Sequence, residues 1–251
     1  MRKLIGPALV TAIVCALASP ARADDKDVTA VLDKAIKALG GEEKLAAAKA
    51  VTWKSKGKLR RKDQDSDFTI QMTFDGLDKV HQEFEGEFGG NKVKGVAVQN
   101  GDKGWRVFGD MKTELDKDAL ANQKRTMYLQ VVAVTIVPLK GKDFKTKMAG
   151  EEKVGDRPAV VIEVTGPDGK DFKMYFDKES GLPVKQTAKV AGLMGGEFDQ
   201  ETTYGDYKEF AGIKKATKVA SKRNGEPFID SEITDFKVLD KVDAKTFDEP
   251  K

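Results

Sequence analysis

At Val51 the chain changes from a helical rhythm to a two-residue one. Before that point Val28, Val31, Leu32, Ile36 and Leu39 recur at helical spacing, and Gly40-Gly41 follows as a C-terminal cap would. A second short helix is expected over residues 42–49. Then Val51, Trp53, Ser55, Gly57 and Leu59 alternate with Thr52, Lys54, Lys56, Lys58 and Arg60, the pattern of a strand with one mostly apolar and one basic face. Phe68, Ile70, Met72 and Phe74 alternate with Thr69, Gln71 and Thr73 in the same way, and Asp75-Gly76 turns the chain. Val80, Phe84 and Phe88 continue the scheme opposite His81, Glu83, Glu85 and Glu87. The economical expectation is one antiparallel sheet with a dry and a wet face.

Asn100-Gly101-Asp102-Lys103-Gly104 marks a hairpin between residues 93–99 and 105–108. The next segment, residues 115–137, places Leu120, Lys124, Met127, Val131 and Val134 at steps of four and three and is closed by Pro138, which predicts a helix. Its second half is apolar on nearly every side, so as a helix it belongs in the interior, as a plug or lid against the sheet; residues 127–137 also fit a buried strand. Strands resume at residues 144–148, 159–165, 172–176, 184–190, 198–207, 213–221 and 228–238, separated by Gly-, Asn-, Asp- and Pro-bearing turns. That regularity describes a long meander. No Pro- or Ser-rich linker interrupts it, so residues 24–251 are expected to form a single domain of the α+β class, mainly β.

Charge and cysteine usage change meaning at the N-terminus. Met1-Arg2-Lys3, the apolar run of residues 4–17 and the small-residue stretch ending Ala21-Arg22-Ala23 read as a secretory signal peptide, cleaved after Ala23, which implies a periplasmic or secreted protein. The apolar run is too short for a membrane span, and Val14 before Cys15 does not suit lipid attachment. Of the 44 basic residues Arg2, Lys3 and Arg22 leave with the signal, so 41 remain against 41 acids. The basic pI therefore gives no support to a nucleic-acid partner. The only cysteine leaves as well, so neither a disulfide nor a thiolate serves the mature chain.

Catalytic constellations do not emerge. His81 is the only histidine and is expected on a charged outward strand face, which disfavours a zinc site and a Ser-His-Asp assembly. G-x-S-x-G, G-x-x-x-x-G-K-[ST] and G-x-G-x-x-G are absent from the sequence. Asp63-Gln64-Asp65-Ser66-Asp67 imitates the start of a calcium loop, but Phe68 and Phe74 stand where Gly and Glu belong, so a solvated hairpin turn is expected. Lys54, Lys56, Lys58 and Arg60, with Arg61 and Lys62, can contact phosphates or anionic headgroups; the simpler reading is a wet strand face kept from pairing with other molecules. No cofactor and no metal are expected.

Several stretches resemble the outer-membrane lipoprotein-sorting proteins of bacteria. They are Tyr175-Phe176-Asp177-Lys178-Glu179-Ser180-Gly181-Leu182-Pro183-Val184, then Tyr204-Gly205-Asp206-Tyr207-Lys208 with Gly212-Ile213, the opening Ala38-Leu39-Gly40-Gly41 before a strand with Trp53, and the closing Phe247-Asp248-Glu249-Pro250. The chain departs from that pattern at Lys214-Lys215-Ala216, where relatives often place a proline. The resemblance implies the fold of the LolA/LolB-type periplasmic lipoprotein carriers: a curved antiparallel sheet, an incomplete barrel around a hydrophobic cavity, covered by the N-terminal helices and the mid-chain apolar helix. The function it implies is a non-enzymatic periplasmic binding module for a lipid, a lipoprotein acyl chain or another apolar ligand, with a membrane surface or another envelope protein as further partner. Trp53, Phe68, Ile70, Met72, Phe74, Trp105, Met127 and Val131 are then the expected cavity lining. Two alternatives stay open: an exported interaction or scaffold protein of the same fold with a filled core, and a hydrolase with a pair of acids.

Overall fold

The computed structural model describes residues 21–60, 65–192 and 195–251. Residues 1–20, which hold most of the expected signal peptide, lie outside the described residues, as do Arg61, Lys62, Asp63 and Gln64.

Two helices, α1 (Ala21–Leu39) and α2 (Glu42–Ala47), lead into six strands: β1 (Ala50–Leu59), β2 (Ser66–Asp75), β3 (Lys79–Phe88), β4 (Asn91–Asn100), β5 (Lys103–Phe108) and β6 (Met111–Glu114). Helix α3 (Lys117–Thr135) and a 3-10 turn (Val137–Lys140) follow. Seven more strands complete the chain: β7 (Lys145–Val154), β8 (Arg157–Thr165), β9 (Asp171–Asp177), β10 (Pro183–Ala191), β11 (Glu197–Phe210), β12 (Ile213–Arg223) and β13 (Glu226–Leu239). All thirteen strands belong to one antiparallel sheet, ordered β6-β5-β4-β3-β2-β1-β13-β12-β11-β10-β9-β8-β7, that curves without closing into a barrel.

Every pairing joins strands adjacent in sequence except β1 with β13. The sheet is thus two meanders stitched along one seam. Its two free edges are β6 and β7, and α3 is the segment between them. A connection between opposite edges of a curved sheet has to cross the open side, which is why this segment is a helix lying over the concave face and not another strand. Asp116 starts it by accepting a hydrogen bond from the Ala119 N–H, and Pro138 prevents its continuation. Met127, Tyr128, Leu129, Val131, Val132, Ala133 and Val134 are all buried, so the all-round apolar second half packs on several sides at once.

Helix α1 buries Val28, Leu32, Ala35, Ile36 and Leu39, and packs on β7 and β12. Its end touches the β11–β12 turn: a Cβ on Gly40, where φ is 138°, would collide with the Gly212 carbonyl oxygen, so the close approach requires glycine. Strand β6 goes beyond the sequence expectation. Its four residues are all exposed, so it carries no apolar alternation, and only its hairpin pairing with β5 makes it a strand.

Candidate functional site

The registers place one continuous row of residues across seven strands: Tyr204 (β11), Val219 (β12), Ser231 (β13), Gly57 (β1), Phe68 (β2), Gly86 (β3) and Val93 (β4). Side chains directly opposite one another in antiparallel strands share a face, and Phe68 lies on the side of Met72 and Phe74, so the row is on the concave face. Helix α3 packs over β4 and β10, towards the other end of the strands. Beyond its reach this row and its strand neighbours line an open groove of about 890 Å³. Small residues open the row: Ser231 and Gly57 form a floor between the rings of Tyr204 and Phe68, and Gly86 lies between Phe68 and Val93. Gly57 is required there, since a Cβ would collide with the Asp230 carbonyl oxygen of β13.

Of the residues expected to line a cavity, only Phe68 borders this groove. Trp53, Met72, Phe74, Met127 and Val131 belong to the packed core beneath α3, each no more than 8% exposed, with the Trp53 and Phe74 rings stacked at 4.9 Å. Ile70 is partly buried against the same core. Trp105 does not share that interior. It pairs with Val98, which pairs with His81, which pairs with Thr73, and this row is the convex one. Arg106, not Trp105, faces inward on β5, where its Nε donates to Gln123 Oε1 of α3. Trp105 is buried because the C-terminal 3-10 turn (Ala244–Phe247) brings Phe247 over it and Val98.

Helix α3 is fixed to both sides of the sheet by its first half. Near its start Gln123 Nε2 donates to the Val98 carbonyl. At its middle the buried Arg125 donates from Nη1 to Asp168 (3.0 Å) and the Tyr128 hydroxyl (2.7 Å), from Nη2 to the Asp171 carbonyl and from Nε to the Lys189 carbonyl. Tyr128 in turn donates to Asp168 at 2.8 Å. Burial and the Asp168 carboxylate hold the Tyr128 phenol far above its ordinary pKa, so it remains a donor.

Sequence reasoning also missed Lys215, a buried lysine in the interior. On β12, Ile213, Lys215, Thr217 and Val219 alternate with Lys214, Ala216 and Lys218, and the first set faces the concave side. The signal was a lysine at an inward position of a period-two strand. Its Nζ stands 5.2 Å from the centre of the Trp53 ring, and burial lowers its pKa to about 8.

The convex face accounts for the basic stripe. Lys56 meets Glu232 at 3.9 Å, Lys58 meets Asp67 at 2.7 Å, and Arg60 binds Asp65 and Asp230. Cross-strand charge pairing of this kind neutralises Lys56, Lys58 and Arg60. His81 is half-buried there, its Nδ1 4.0 Å from Glu83. Among the described residues no group of three or more His, Cys, Asp and Glu side chains is arranged to hold a metal, and no helix is long and apolar enough to cross a membrane.

No protein-family model and no curated protein sequence matches the chain. Solved structures do. A LolA superfamily protein from Nitrosomonas europaea is similar with a TM-score of 0.60 at 12% identity, over 88% of this chain and 96% of that one. A DUF1329 family protein from Desulfovibrio piger reaches 0.55 at 11% identity, over 88% and 97%. An outer membrane lipoprotein-sorting protein domain from Vibrio parahaemolyticus reaches 0.52 at 10% identity, over 86% and 97%. At these identities the likeness concerns the fold: a curved sheet of thirteen strands, open on one side and spanned by an apolar helix, gives this chain the LolA-like fold.

Proposed function

We propose that the protein is a non-enzymatic, exported binding module that shelters an acyl chain, or another apolar ligand of that shape, in the groove lined by Tyr204, Val219, Gly57 and Phe68. One observation carries the reading: the concave face is filled beneath α3 but open beyond it, in a volume within the usual range of small-molecule sites. An acyl chain leaves no polar group unpaired on such a floor, and the LolA-like fold is compatible with the role. The mature protein is then periplasmic or secreted, beginning at Asp24. The filled interior around Trp53 and Phe74 favours a second reading, a scaffold of the same fold, for that half of the molecule.

A fluorescent fatty acid tests the two. Val219→Trp, which narrows the groove, is expected to weaken probe binding at least tenfold with little change in Tm. Phe74→Ala is expected to do the reverse: a loss of roughly 3–5 kcal/mol of stability from the packed core, with probe affinity of the folded fraction retained. A wild-type protein that binds no apolar probe would overturn the binding reading in favour of the scaffold.

A further inference from the structure

Lys215 is 6% exposed and, among the described residues, has neither a hydrogen-bond acceptor nor a carboxylate partner; its Nζ has only the Trp53 ring. The residue directly opposite on β11 is Lys208, a second cation. Acids near it are engaged elsewhere or face away: Asp206 is paired with Lys218, and Asp235 with Lys237. An unpaired ammonium in an apolar interior is costly, and a tryptophan face offsets only part of the lost hydration. Buried polar groups left without a partner in this way cluster at functional sites, where a ligand supplies the missing partner.

The concave face indicates where that partner comes from. Val219 borders the groove, Thr217 is the next inward residue on β12, and Lys215 the one after, so about 13 Å of strand separates Lys215 from the groove row. A lysine stem spans about half of that distance, which brings its ammonium level with the small hydroxyl side chains of Thr217 and Ser55, and a headgroup reaching inward from the groove row covers the rest. We infer that the groove's ligand is an acyl chain bearing an anionic headgroup, with Lys215 swinging from the Trp53 ring to pair with that anion at the inner end of the groove. The inference rests on the groove reading and adds the chemistry of the head and its orientation, charge inward and tail along the row of Tyr204, Gly57 and Phe68.

Calorimetric titration of hexadecanoate, a lysophosphatidate of the same chain length and hexadecanol into wild type and Lys215→Met tests it. The expected result is that at least one of the two anions binds wild type tenfold or more tighter than the alcohol. Which anion wins distinguishes a carboxylate from a phosphate headgroup. In Lys215→Met that preference should collapse while alcohol binding is unchanged, and Tm should rise because an unpaired buried charge has gone. Lys215→Arg should keep part of the preference. Equal affinity of wild type for the anions and the alcohol would overturn this inference and leave the groove reading standing, as would a Lys215→Met variant that loses all three ligands alike or falls in Tm. If wild type binds none of the three, the groove reading fails and this one with it.

Discussion

Lys215 makes the clearest demand at the scale of single residues. Burial lowers its pKa from 10.5 to about 8, so between those values the unfolded chain holds a proton that the native state has released. Unfolding takes up that proton, and native stability contributed by this group therefore rises with pH across the window, by something on the order of 3 kcal/mol. Below pH 8 both states are protonated and the full cost of the buried charge is felt, with Lys208 opposite adding repulsion. Urea midpoints of wild type and Lys215→Met should accordingly differ most near pH 7, in favour of the variant, and converge towards pH 10.5. Parallel curves would mean that the amine is hydrated in solution. The groove depends on single residues in another way: Gly57 permits the close approach of both the Asp230 carbonyl and the Phe68 ring, and a larger residue would collide with both.

At the scale of elements, the lid is a fixed strut. Four elements meet at Arg125, whose guanidinium ties α3 to the β8–β9 turn, β9 and β10. Asp168→Asn keeps the shape but leaves the buried cation without its counter-charge; with three other acceptors still in place the expected loss is about 1.5–3 kcal/mol, read as a lower urea midpoint. Lys124→Ala, which removes an ion pair to the fully exposed Asp102, should leave the midpoint unchanged. Local pattern foretold much of this element set. The period of two in β1 to β3 and the steps of four and three in α3 are strong because each element buries one coherent set of side chains. β6 escaped because it buries nothing. Trp105 was assigned to the wrong face because an aromatic residue normally marks the dry side, and here the C-terminal turn supplies a second, small dry patch on the convex side. The groove was legible only at Phe68. Tyr204, Val219 and Ser231 come from strands more than a hundred residues away from Phe68, and the register that aligns them with Gly57 leaves no trace in any local period.

For the whole molecule, the one long-range pairing decides the order of assembly. Strands β1 to β6 and β7 to β13 form hairpins with near neighbours, whereas Trp53 has to find Phe236 across most of the chain. Loop-closure entropy makes that encounter the last to be rewarded, so each meander is expected to form first and the β1–β13 contact to follow. In stopped-flow chevrons, Ile233→Ala, at the contact, should then act mainly by speeding unfolding, whereas Val161→Ala, inside the β8–β9 hairpin region, should slow folding. The opposite partition would mean that the two halves meet early. Because the groove row runs across that same contact, with Gly57 on one side and Ser231 on the other, half-assembled chains have no binding site, and ligand added during refolding should leave the folding rate alone while retarding unfolding.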